Sequence, residues 1–199
     1  MLYYLNMKEK EALELGKIWM KNSINKGHDY LHAQHVEEHA LVIYKELKKA
    51  GKLPAYVDES LVSLSAWWHD SYKARTKGLT LWAYLFEGYE SEKIVKRELK
   101  GLLTESRLKR LAQAVRMHNH FAIYFLISKN YPPLAQILIE ADNIEATSKV
   151  RLRRSYESLG VPRPFVKLIY KVYIGVLLFW LKRLPKSKYM EEFLNNFNL

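Results

Sequence analysis

Apolar residues recur at spacings of three and four along nearly the whole chain, and no stretch alternates apolar with polar residues between turn signals. That pattern specifies helices and leaves no candidate strand, so the chain reads as all-α. Helices are expected over about 8–23, 30–51, 57–68, 84–99, 105–118, 133–146, 150–159, 164–184 and 189–197, with breaks at Gly27, Gly51, 130–133, 160–164 and Pro185. In the first helix, Ala12, Leu13, Leu15, Ile18 and Trp19 are assigned to the buried side. A length of 199 residues with 49% hydrophobic and 27% charged residues suffices for one sizeable core, so a single-domain helical bundle over 1–199 is expected.

The chain has no cysteine, which removes disulfides, thiolate metal sites and cysteine nucleophiles together. Histidine and carboxylates are the strong metal ligands that remain. Residues 1–10 lack the apolar core of a signal peptide, and a cytoplasmic location is expected. The uncharged run 172–181 is half the length that a bilayer requires and is flanked by Lys171 and Lys182, so no transmembrane segment is expected.

The net charge is +11, and its placement is uneven. Between Lys149 and Lys188 lie eleven basic residues and one acid, Glu157, so this stretch carries a net +10 and nearly the whole imbalance falls in the C-terminal part. Such a surface is either a solvated face or one that meets anions.

All seven histidines fall between positions 28 and 120. His32, His35 and His39 share one helical face at spacings of three and four, with His28 a turn earlier. The pair His35 and His39 alone has metal-site spacing, but the same spacing occurs on solvated faces. His118 and His120, two residues apart, cannot share a helical face, and His118 is the better placed.

Three segments in order, "GHDYLHAQHV", "AWWHDSYK" and "EADNIEA", resemble the successive motifs of the HD-domain metal-dependent phosphohydrolases, most closely the branch whose first motif reads H-D-x-x-H-x-x-R-V. The resemblance spans about 27–146. It implies an HD-type helical domain in which His32, His69, Asp70 and Asp142 hold one divalent ion: manganese, nickel, cobalt, iron, magnesium or zinc. Two imidazoles and two carboxylates suit such an ion and leave coordination positions for water and substrate. Asp29 is expected to orient a ligand imidazole or the attacking water, and Lys73, which matches a lysine often found three residues after the second motif's Asp, is expected as a catalytic residue that neutralises phosphate charge with His118. His35 stands where the branch has arginine, which replaces a fixed charge with a titratable one.

The implied activity is hydrolysis of a phosphate ester or anhydride of a small nucleotide or similar metabolite, by water that a bound ion acidifies. His28, His35 and His118 are assigned to the substrate pocket. Arg151, Arg153 and Arg154 follow the third motif closely enough for one to turn toward phosphate, and Arg154 is taken as the candidate. Family members with a second metal often carry a histidine at the start of the helix after the His-Asp pair. The stretch "FEGYESEKIV" has none, so a single ion is expected. The polar segment 71–80 reads as a loop over the site. Two alternatives stand beside hydrolysis of small nucleotides: an HD-type nuclease on single-stranded nucleic acid, for which the basic surface would suit a phosphate backbone, and a non-catalytic metal-bound nucleotide-binding module.

Overall fold

The structure, a computed structural model, describes residues 7–77, 81–118, 131–148, 151, 171–172, 174–175 and 187–196, with 81–85 described by backbone alone. Seven helices are found there: α1 (Met7–Lys21), α2 (Tyr30–Lys49), α3 (Glu59–Trp68), α4 (Leu81–Glu98), α5 (Glu105–Met117), α6 (Pro133–Ala146) and α7 (Lys188–Asn196). The described residues contain no strand, as the periodicity requires. Segment 71–77 is more ordered than the expected loop: a 3-10 turn, Lys73–Arg75, buries Ala74. Of the helices expected at 150–159 and 164–184, residues 151, 171–172 and 174–175 are described and helical; the rest of both, together with Arg154, His120 and most of the run 172–181, lies outside the described residues. No described helix is long and apolar enough to cross a membrane.

Helix α3 is the axis of the bundle. Every residue from Leu61 to Trp68 is buried, and burial continues through His69, Asp70 and Ser71. A helix apolar on all sides has to be enclosed, and α1, α2, α5 and α6 enclose it. Its start is fixed by Asp58, which accepts the Leu61 N–H at 2.9 Å and receives both terminal nitrogens of Arg107 on α5, at 2.6 and 3.0 Å.

Helix α1 meets α3 along Ala12, Gly16 and Met20, four residues apart. A Cβ at Gly16 would stand 2.7 Å from Trp68 Nε1, so glycine admits the indole. Ile18 is a correction: it is 55% exposed, because a position two residues from Gly16 and Met20 falls on the opposite side of the helix. Leu13, Leu15 and Trp19 pack at the margin of the core.

Helix α7 is anchored through its N-terminus. Glu46 of α2 accepts the Lys188 and Tyr189 N–H groups, each at 2.7 Å, and Glu140 of α6 accepts the Ser187 N–H and hydroxyl. Ser187 caps the helix by accepting the Met190 N–H at 3.1 Å. These bonds tie α7 across α2 and α6.

Helices α4 and α5 approach most closely at Gly88, where a Cβ would lie 2.2 Å from the Arg116 carbonyl oxygen. That oxygen is backbone and cannot swing away. Gly88→Ala should therefore destabilise the protein by about 1–3 kcal/mol through overpacking, a fall of roughly 2–12 °C in melting temperature. An unchanged melting curve would show that the two helices separate freely.

Candidate metal centre

Helices α2, α3 and α6 aim polar side chains at one point inside the bundle. His32 enters from the first turn of α2, His69 and Asp70 from the C-terminal end of α3, and Asp142 from α6. His32 Nε2 lies 3.0 Å from His69 Nε2, 3.0 Å from Asp70 Oδ2 and 3.5 Å from Asp142 Oδ1. His69 Nε2 is 3.2 Å from Asp70 Oδ2 and 3.7 Å from Asp142 Oδ1. Donor atoms about 2.1 Å from a shared ion stand about 3.0 Å apart in octahedral geometry and about 3.4 Å in tetrahedral geometry. The separations among His32, His69 and Asp142, and those of Asp70 from both imidazoles, are of the size that donors to a shared ion require.

Hydrogen bonding on the far side of each imidazole makes the same case. His69 Nδ1 donates to the Ala66 carbonyl at 2.7 Å, and a carbonyl can only accept. His32 Nδ1 donates to Glu145 Oε2 at 2.8 Å. Each neutral ring therefore turns a lone pair inward, beside the lone pairs of Asp70 and Asp142. The interior also holds Glu87 and Glu145 against two fixed cations, Lys73 and Arg151. Four carboxylates and two cations leave two negative charges, the complement of a divalent ion. These buried His and Asp groups could hold a metal ion.

With protons as the only mobile cations, the cluster recruits them. Burial disfavours the imidazolium of His69, yet Asp70 and Asp142 outweigh it and its pKa is pushed up to about 10. His118 follows the same pattern: burial lowers its pKa, but Asp70 and Glu87 push it up to about 9. At His28, burial prevails, helped by Lys73 and Arg151, and its pKa falls to about 3 despite Asp70. Burial also opposes ionisation of Asp142, but His69 and Arg151 hold its carboxyl well below the ordinary range. Lys73 stays an ammonium, because Glu87 and Asp70 overcome its burial.

The remaining expected residues divide between the mouth and the back of the centre. His28 Nδ1 donates to Asp70 Oδ2 at 2.5 Å, with Arg151 Nη2 3.3 Å from the same nitrogen. Arg151 Nη1 reaches Asp142 Oδ1 at 3.2 Å and Glu145 Oε2 at 3.1 Å, so Arg151 brings an arginine charge to the site, while Arg154 lies outside the described residues. His35 Nδ1 lies 3.6 Å from Glu145 Oε1 at the rim. His39 turns to Tyr189 Oη, 3.0 Å away, and takes no part. Asp29 caps α2, its Oδ1 accepting the His32 N–H at 3.3 Å, while orientation of the His32 imidazole falls to Glu145.

At the back, His118 is buried, and its Nδ1 donates to the Val115 carbonyl. Its Nε2 faces Glu87 Oε1 at 3.3 Å and Asp70 Oδ1 at 3.6 Å. Lys73 Nζ is 2.6 Å from Glu87 Oε2 and 3.8 Å from Asp70 Oδ1. Sequence reasoning missed Glu87 and Glu145 as members and named Arg151 only as one of three arginines that could turn inward. Glu145 sits three residues after Asp142, the spacing at which helical neighbours share a face, and that signal was present.

No family model, no curated protein and no solved structure matches this chain. The family resemblance rests on the three motifs.

Two outcomes are expected on adding a divalent ion. Manganese at about 100 times its dissociation constant should stabilise the fold by about 2.7 kcal/mol, and Glu145→Gln, which weakens the acceptor behind His32, should weaken binding by about 10–100-fold. Because His69 holds a proton up to pH about 10, the ion must displace it, so affinity should rise about tenfold per pH unit below that value for each proton released. Calorimetric titration at pH 6, 7 and 8 checks the sign, and pH-independent binding would refute proton displacement.

Proposed function

We propose that the chain is an HD-type metal-dependent phosphohydrolase acting on a phosphate ester or anhydride of a small nucleotide or a similar phosphorylated metabolite. The observation that carries this reading is the convergence of His32, His69, Asp70 and Asp142, the four residues marked by the motifs, with their inner lone pairs facing one another at ion-binding separations. A divalent ion supplies an acidified water and an electrophile for the phosphoryl group.

The burial pattern supports one direction of approach. His32, His69, Asp70, Glu87 and His118 have side chains at most 2% exposed, whereas Asp142 is 19%, Arg151 12%, His28 11% and His35 35% exposed. Substrate therefore enters over His28, His35, Asp142 and Arg151. Arg151 offers a fork of donors that matches phosphate oxygens, and its hold on Asp142 and Glu145 keeps that fork at the mouth. His35 adds an imidazole at the same rim. His118, assigned from sequence to the substrate pocket, works from behind Asp70 instead.

The test is release of phosphate or pyrophosphate from nucleoside mono-, di- and triphosphates across manganese, nickel, cobalt, magnesium and zinc, with single-stranded DNA and RNA run in parallel. Hydrolysis of nucleotides is expected, and Asp142→Ala should lower it by more than the roughly 100-fold that loss of an outer partner costs, with the helical circular-dichroism spectrum retained. Full activity in Asp142→Ala would sink the reading. Cleavage of polymers alone would replace it with a nuclease, and binding without turnover with a nucleotide-binding module.

A further inference from the structure

Behind the four-residue cluster lies a second group of donor atoms that the ion-binding reading does not use. Asp70 divides between the two: Oδ2 faces His32 and His69, while Oδ1 points the other way, buried and without a hydrogen-bond partner. Facing that oxygen are His118 Nε2 at 3.6 Å and the buried Glu87, whose Oε1 is 3.3 Å from the same imidazole nitrogen. His69, Asp70 and His118 also meet the distance requirement of a metal group, with His69 shared between it and the first cluster. This place already holds a positive charge, because Lys73 Nζ sits 2.6 Å from Glu87 Oε2 and 3.8 Å from Asp70 Oδ1, with its side chain 14% exposed.

We propose that the Lys73 ammonium, held by Glu87, is a built-in cation that fills a second ion position beside the metal centre and so restricts the protein to one metal ion. The inference rests on the metal-centre reading and adds a reason for its stoichiometry. Charge balance requires the same result. With Lys73 and Arg151 in place, one divalent ion neutralises the four interior carboxylates; a second would leave two uncompensated positive charges in a buried site, which is costly. Removal of Lys73 leaves three negative charges and an emptied space lined by Asp70 Oδ1, Glu87 and His118, three donors of the oxygen and nitrogen type that divalent ions take.

The 3-10 turn explains how the lysine arrives there. Ala74 N–H donates to the Asp70 carbonyl at 2.9 Å, which curls the chain back immediately after α3, and the buried Ala74 holds the turn against the core. Lys73 thus leaves the backbone three residues after Asp70 and reaches inward to α4. Glu87 is a positioning residue in this arrangement: it fixes Lys73 with one oxygen and faces His118 with the other.

The test is metal content, with manganese alone as the probe. Full-length protein, freed of metal, is equilibrated with excess manganese, passed through a desalting column and assayed for bound ion by atomic spectrometry, with electron paramagnetic resonance reporting single ions or coupled pairs. Wild type should hold one equivalent with the signal of an isolated ion. Lys73→Ala should hold two, with the signal of an exchange-coupled pair because Asp70 would bridge them, and Lys73→Arg should return to one. One equivalent in Lys73→Ala, or two in wild type, overturns the proposal while leaving the metal centre intact. No bound ion in wild type overturns both. The wild-type stoichiometry decides against the proposal independently should Lys73→Ala fail to fold.

Discussion

Two imidazole nitrogens 3.0 Å apart, on rings whose other nitrogens are each committed to an outer acceptor, need a proton or another cation between them. The arrangement exists because α3 is buried on all sides and has to end inside the bundle, so that His69 and Asp70 emerge where α2 and α6 converge. The C-terminal end of a helix carries partial negative charge, and the carboxylates of Asp70 and Asp142 add to it. The interior that results is electronegative, and its geometry is set by packing around the tryptophans and leucines of α3. A cation completes it; without one, protons are drawn onto His69 and His118.

That electronegative interior sits in a chain whose overall charge is +11. The two facts are compatible because the positive residues near the site are specific and few. Lys73 lies behind the centre and Arg151 at its mouth, and each is engaged with two carboxylates. Lys188, another described residue of the basic C-terminal part, pairs with Glu192 at 3.5 Å. Net charge therefore describes the protein's outer field and says little about the potential at the site.

The helical class and the start of α6 at Pro133 were legible from periodicity and turn residues, because an amphipathic helix writes its own spacing into the chain. The four residues of the cluster were legible for another reason: their motifs preserve an order, even though the ligands lie far apart in sequence. The partners behind them left a fainter trace. Glu87 and Glu145 are single carboxylates on helices full of other charged residues, and their importance depends on which way a helix is rotated. Arg151 and Arg154 could not be separated from sequence for the same reason. Ile18 was misplaced because helix α1 meets the core along a narrow line through Gly16, and a glycine carries no hydrophobic signal.

The anchoring of α7 bears on how such a protein is made. His32, His69 and Asp142 are separated by long stretches of chain, and the start of α7 bonds to both α2 and α6, which carry two of them. Closure of long loops is the slow part of folding. The four donors therefore stand side by side only once contacts between distant parts of the chain have closed. In this topology the donor set is a product of the packed bundle and of no single segment.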